Sequence, residues 1–479
     1  MAQKAEANRA NSGGFLKPFL FFFFTISTIL FGVVLYSPDY FWKVLSPLPD
    51  KSSVFPYEEK AWTVGKSASV SDAVVPWMLN VSVEVLDDLR DRLSKTKYGK
   101  SIQGQNFSYG FPGDQLKKIV DYWLTKFDWK KQEALINNYP NFKTNIEGLN
   151  LHFVHVKPEN AGKDVKTYPI ILTHGWPGSF FELYKLIPLL TKPRRVGNQN
   201  VAFELVIPSI PGYGFSDAAE KPGMDPANIA RIFSKLMARL KFPRFFVHGG
   251  DWGSLISHSL AQMYPEKVLG LSLTMYPAPL PMVLLKNFLA SFAPSLFVKP
   301  SEHHKLLKNH FGWLMRESGY MHLHATKPDT AGAALLNDPA GLAAYILEKF
   351  STWTDDANIE KPDGGLQGFF SLDDLLTNVM VYWVSGSIMT SQRLYKEAFA
   401  ADRSIRSRYE VEAPTLLSSF RKEIPSGTPP DSFVKPYFPQ IIDIVKHETG
   451  GHFPAMERPQ ELAQDLWTLA ENVLSKSRV

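Results

Sequence analysis

Cysteine is missing from all 479 residues. That excludes a disulfide framework, a thiolate metal site and a cysteine nucleophile. It leaves the compartment open, because a domain of this size needs no disulfides. A marked excess of one charge is missing too. Lys and Arg number 52 against 47 Asp and Glu, a net of +5, too small over this length to mark a nucleic-acid surface. No internal repeat is visible, and no low-complexity tract outside one apolar run near the N-terminus. Hydrophobic residues at 44% and charged residues at 21% exclude a disordered or collagenous chain. The length suits one large domain or two to three ordinary ones.

The apolar run covers residues 18–36, carries no charge and includes Phe21, Phe22, Phe23 and Phe24. As a helix it rises roughly 28 Å, the thickness of a hydrocarbon core. Lys17 precedes it, and Tyr40 and Trp42 follow it like interfacial anchors. It exceeds the apolar stretch of a signal peptide, and no A-x-A cleavage site follows. It is therefore expected to be an uncleaved transmembrane anchor behind a flank of residues 1–17. Lys4, Arg9 and Lys17 against Glu6 make that flank mildly basic, which taken alone favours a lumenal body.

Residues 44–66, rich in Pro, Ser and Lys, read as a linker, and 67–141 as an N-terminal segment with helices at about 83–93 and 115–127. A hairpin is predicted over 142–156. Strands follow at 169–172, 203–207, 244–248 and 268–274, alternating with helices at 180–190, 229–240 and 255–263. That alternation predicts a parallel sheet with helices on both faces, a core whose first part spans 142–275. Residues 276–400 read as mostly helical, clearest at 339–350 and 372–382. Strands at 414–418 and 441–445 and a helix at 459–474 complete the core over 401–479.

The sequence "FFVHGGDWGS" sets Asp251 between Gly249 and Gly253, with a strand entering and a helix leaving. That is the context of a nucleophile elbow, with Asp where many hydrolases carry Ser. The alternative is that Asp251 merely caps the helix. No G-x-S-x-G occurs, so no serine competes. The earlier turn "HGWPG", residues 174–178, also lies between strand and helix. In hydrolases of this build such a loop supplies one oxyanion donor and the residue after the nucleophile the other. Those donors are the backbone N–H groups of Trp176 and Trp252.

Twelve histidines compete for the base. His452 follows the last strand and precedes the last helix, in the chain order nucleophile, acid, histidine. His152 and His155 lie in the hairpin and read as structural or solvated. His303, His304, His322 and His324 lie in the helical stretch. The orienting acid is expected after the strand at 414–418. Glu423 fits best and Asp431 next; Asp443 lies within a strand, and Glu448 sits in a different loop.

Taken together, "HGWPGSFFE", "GGDWGS", "SGYMHLHATKPDT", "GLAAYILEKFSTW", "SLDDLLTN", "SQRLYKE" and "GGHFPAMERP" make the sequence resemble the microsomal epoxide hydrolases, including the juvenile hormone epoxide hydrolases, along essentially the whole chain. The resemblance implies an α/β-hydrolase core, a helical lid over 276–400 and a wrapping N-terminal segment. It implies Asp251 as nucleophile, His452 as base, Glu423 as its partner, and two lid tyrosines, Tyr320 and Tyr395. It implies lipophilic epoxides and water as substrates, with no metal or cofactor. It also implies an enzyme held on the endoplasmic reticulum membrane with its catalytic part in the cytosol, which outweighs the small charge bias of the flank. A haloalkane dehalogenase uses the same triad with Trp or Asn N–H groups for halide, and Trp176 and Trp252 keep that reading open. Tyr320 and Tyr395 favour the epoxide. A non-catalytic scaffold is the third reading, opposed by the filled triad.

Overall fold

The computed structural model describes residues 46–65, 71–158, 162, 164–276, 280–401, 405–424 and 428–476. The expected anchor at 18–36 lies outside them, and no described helix is long and apolar enough to cross a membrane.

Ten strands form one sheet: β1 (Val74–Trp77), β2 (Asn141–Ile146), β3 (Leu149–Val156), β4 (Val165–Thr173), β5 (Arg194–Val196), β6 (Gln199–Pro208), β7 (Phe245–Gly249), β8 (Val268–Leu273), β9 (Thr415–Phe420) and β10 (Ile441–His447). Their order is β1-β2-β3-β6-β4-β7-β8-β9-β10, with β5 paired to β6. From β6 through β10 the neighbours run parallel; β1, β2, β3 and β6 pair antiparallel. The central strands are covered on both faces, which is why β7 (FFVHG) and β9 (TLLSSF) are buried at every position. The helices Pro226–Arg239 and Trp252–Met263 pack together, and Pro459–Lys476 packs along β8, β9 and β10. The core is thus an α/β-hydrolase fold with a mostly parallel sheet. Between β8 and β9 the chain is helical, with Gly319–Thr326, Pro339–Thr352, Leu372–Ser385 and Ser387–Ala400 among its helices.

Four loops leave the C-terminal ends of parallel strands, where open α/β sheets bind their ligands. His174 and Trp176 follow β4, Asp251 follows β7, Glu423 follows β9 and His452 follows β10.

Several expectations are corrected. The helix predicted at 180–190 is a 3₁₀ turn, Phe180–Leu186, followed by a short helix, Ile187–Thr191. Pro188 lacks the N–H that a continuous helical ladder needs there. Strand β1 was not expected. It carries Pro76 and lies at the sheet edge, where the missing N–H of a proline costs little pairing. The helix Trp129–Asn137 was also missed.

The segment expected as a linker is, over 46–65, tied into the core. Phe55 and Trp62 are buried. Trp62 Nε1 donates to Glu147 Oε2 at 2.8 Å. Glu147 sits with Gly148 in the β2–β3 turn, both residues at positive φ, the geometry of a type I′ hairpin. Its carboxylate accepts from Arg231 Nε at 3.0 Å and Nη2 at 2.6 Å, and meets Lys235 Nζ at 2.8 Å. Burial works against the charge on Glu147, but Arg231 and Lys235 outweigh it and hold its pKa low. One buried carboxylate therefore joins the linker segment, the hairpin and the helix Pro226–Arg239.

Candidate active site

Asp251 stands at the crossing of β7 and the helix Trp252–Met263 with φ 50° and ψ −126°, a backbone conformation that is strained for a residue with a side chain. Its neighbours permit the crossing. A Cβ on Gly253 would run into the carbonyl oxygens of Thr173 and His174, and one on Gly175 would run into the Asp251 side chain. Asp251 makes no side-chain capping bond to its helix, so the capping alternative fails. Its carboxylate turns to the neighbouring loops instead. The backbone N–H of Trp176 donates to Oδ1 at 2.8 Å, and His452 Nε2 lies 3.3 Å from Oδ2. Trp252 is the first residue of the helix, where backbone N–H groups lack intrahelical partners.

The loop that carries Trp176 is held from both sides. His174 Nδ1 donates to Gly175 O at 3.1 Å and Nε2 accepts from Ile210 N at 3.2 Å. Burial lowers the His174 pKa to about 4, so it is a neutral structural histidine. From the helical insertion, Asn378 Nδ2 donates to Pro177 O at 2.8 Å and Tyr382 Oη to Gly178 O at 2.6 Å.

His452 Nδ1 lies 2.6 Å from Glu423 Oε1. Both side chains are 1% exposed. Burial disfavours charge on the imidazole, but the adjacent Glu423 and Asp251 overcome it and raise its pKa well above the ordinary histidine value. The competing acids lie elsewhere. Asp431 pairs with Lys305 at 3.0 Å and Lys446 at 2.8 Å, and Glu448 pairs with Arg421 at 2.9 Å on the surface. Asp443 accepts from the N–H of Ile444 on β10. His152 is buried between Ser209 Oγ and Asn141 Oδ1, each at 2.9 Å, and His155 pairs with Glu204 at 2.7 Å.

Tyr320 and Tyr395 reach the site from the helical insertion. Their ring centroids are 5.8 Å apart and nearly perpendicular. Tyr320 stacks on Trp176 at 5.3 Å, and Tyr395 sits edge-on to Trp252 at 4.6 Å. Burial raises the pKa of both phenols, and the Asp251 charge adds to it. Both remain protonated donors at neutral pH. His324 stands beside them, 4.9 Å from the Tyr395 ring, with its pKa lowered to about 3 by burial and then by Lys349.

The arrangement therefore gathers a carboxylate nucleophile geometry, an imidazole–carboxylate pair and two phenols. The family model described as "Epoxide hydrolase N terminus" matches residues 74–183, and the one described as "alpha/beta hydrolase fold" matches 168–416. Epoxide hydrolase 1 of Oryctolagus cuniculus is 44% identical over 428 residues, 87% of this chain and 93% of that protein. Juvenile hormone epoxide hydrolase 1 of Ctenocephalides felis is 43% identical over 411 residues, 85% and 88%. The crystal structure of juvenile hormone epoxide hydrolase from the silkworm Bombyx mori superposes with a TM-score of 0.80 at 38% identity, covering 85% of this chain and 96% of that one. The epoxide hydrolase of Aspergillus niger gives 0.68 at 27% identity, covering 87% and 99%. The chain belongs to the microsomal epoxide hydrolase family. It is an epoxide hydrolase, and the dehalogenase and scaffold readings fall away.

Two acidic groups of this epoxide hydrolase were not singled out from sequence, although both lie inside motifs that were. Glu457 Oε2 accepts from the N–H of Gly451 and Oε1 from the N–H of Phe453, each at 2.8 Å. It braces the backbone on either side of His452. Burial raises its pKa to about 7. Glu182 lines the cavity beside Asp251 and His452. An acid four residues into a short helix after a histidine loop was the available signal for Glu457, but nothing in one sequence says where such a side chain turns.

The charge arrangement at His452 is testable. Asp251→Asn removes one of the two anions that favour the imidazolium, so the His452 pKa should fall relative to the wild-type enzyme. Histidine-selective NMR titration reads this directly; an unchanged value would mean that Asp251 does not act on the imidazole.

Proposed function

We propose that this epoxide hydrolase works through a covalent ester on Asp251, hydrolysed by water that His452 activates. The observation that carries the reading is the division of the Asp251 carboxylate: Oδ1 is held by the Trp176 N–H at 2.8 Å while Oδ2 stays clear of that bond. Oδ2 attacks a ring carbon of the epoxide, the C–O bond of the ring breaks, and Tyr320 or Tyr395 gives its proton to the departing oxygen. A carboxylate suits this step because it needs no base, and its ester keeps a carbonyl that water can attack. Oδ1 becomes that carbonyl oxygen, already seated on an oxyanion donor, with the Trp252 N–H as its second.

Ester formation removes the Asp251 charge. With Glu423 alone left to favour the imidazolium, His452 becomes the base that the second step requires. It takes a proton from water as the water oxygen bonds to the ester carbon, then returns it to the alcohol oxygen as the ester bond breaks. The Asp251 acid that remains ionises, and its proton restores the phenol. The helical insertion acts as a lid, since it brings in both phenols and clamps the Trp176 loop.

His452→Gln should therefore still alkylate but fail to hydrolyse the ester. Intact-mass spectrometry after exposure to an epoxide should find the chain heavier by one substrate. An inactive variant with no adduct would contradict the assignment of His452 to the second step.

The substrates are proposed to be lipophilic epoxides, with xenobiotic, terpenoid and fatty-acid epoxides all within that class. The uncharged run at 18–36 supports this reading, because an anchor there holds the site beside a bilayer that concentrates such molecules. The enzyme is proposed to sit in the endoplasmic reticulum membrane with its catalytic part in the cytosol. Asn80 and Ser82 form an exposed glycosylation sequon, whereas the Asn106 amide is already engaged, donating to Glu360 O at 2.7 Å. A cytosolic body leaves Asn80 unmodified in cells. A glycosidase-sensitive mass shift abolished by Asn80→Gln would place the body in the lumen instead.

A further inference from the structure

Beneath Asp251, between the Trp176 loop and the His452 loop, lies a cavity of about 20 Å³. That is room for one water molecule. Its lining includes Asp251, His452 and Glu182, together with Gly175, Gly178 and Phe453. Tyr320 and Tyr395 are not part of it. The space thus lies apart from the two phenols and reaches both the carboxylate and the imidazole; Glu182, Thr173, His248 and Thr274 are its other polar lining residues, and Glu182 is the one carboxyl group among them. Apart from a backbone hydrogen bond from Gly175, the bonding described so far leaves Glu182 unused. The site is also shaped around that carboxyl group: a Cβ on Gly178 would collide with Glu182 Oε2, so the glycine of "HGWPG" makes the space that the Glu182 side chain fills.

We propose that this cavity is the seat of the hydrolytic water and that Glu182 holds the water against His452. The inference rests on the covalent reading of Asp251. A buried water needs two to four polar partners. Here one hydrogen of the water goes to His452 Nε2, the other is engaged by the Glu182 carboxyl, and the oxygen lone pair faces the Asp251 carbon. The bonds made and broken are those of ester hydrolysis as given above; Glu182 orients the water and takes no net proton. Burial, followed by the Asp251 charge, raises the Glu182 pKa to about 8, so the free enzyme avoids a further anion beside Asp251. Esterification of Asp251 removes the second of those causes. Glu182 then becomes a better acceptor in the intermediate, when the water must be held.

The test separates the two chemical steps. In the covalent scheme kcat/KM reports alkylation, and kcat falls with ester hydrolysis when that step is slow. Glu182→Ala should lower ester hydrolysis on the order of 10²-fold, the penalty for a misplaced reactant, with a smaller loss in Glu182→Gln. In both variants kcat and KM should fall together, kcat/KM should stay near the wild-type value, and ester-bound enzyme should accumulate at steady state by quenched-flow mass spectrometry. Ester hydrolysis at the wild-type rate would overturn the proposal. A parallel loss of alkylation, or failure of both variants to fold, would make Glu182 a structural group and overturn it as well. Heavy oxygen in the diol of a first turnover in heavy-oxygen water would instead bring down the covalent reading itself, a result distinct from any outcome at Glu182.

Discussion

The backbone of Asp251 is the constraint on which the site depends. Its left-handed conformation is unfavourable for a residue with a side chain, by about 1–3 kcal/mol, and persists because everything around it is fixed. β7 is hydrogen-bonded to β4 on one side and β8 on the other, and Gly253 lets the departing helix pass under the end of β4. The conformation turns the carboxylate away from the helix it precedes and toward the Trp176 N–H. A relaxed Asp251 would cap its own helix and lose both the Trp176 N–H and its contact with His452.

Charge is handled with similar economy. One buried imidazole is surrounded by Asp251, Glu423, Glu182 and Glu457. Glu423 faces Nδ1 at 2.6 Å and Asp251 faces Nε2 at 3.3 Å, so these two act on the protonation of His452. Glu457 and Glu182 have raised pKa values, about 7 and about 8, with burial the largest cause of each. The site thereby avoids four anions in a small dry volume, an arrangement whose desolvation would be prohibitive. The loops remain firm because neutral contacts hold them: the Asn378 and Tyr382 bonds to the Trp176 loop, and the His452 N–H donating to Trp353 O at 3.0 Å.

Much of the architecture was legible in the sequence because it rests on local patterns. Short apolar strands alternating with amphipathic helices marked the core, and Gly249–Gly253 around Asp251 marked the elbow. What escaped was non-local. Residues 46–65 carry a linker's composition, yet Trp62 is fixed by Glu147, which Arg231 holds in turn, both far away in the chain. Strand β1 contains a proline and is explained only by its edge position. Within the site, Asp251, Glu423 and His452 followed from chain order and loop context, and the tyrosines from resemblance. Glu182 and Glu457 gained meaning only when folding brought four loops to one cavity.

The central claim is that the first oxygen delivered to the epoxide comes from Asp251 and not from water. A single turnover in heavy-oxygen water, with enzyme in excess over epoxide, tests it most directly. The account predicts an unlabelled diol and one heavy oxygen in the tryptic peptide containing Asp251. A labelled diol from that first turnover, with an unlabelled peptide, would mean direct attack by water and would contradict the account.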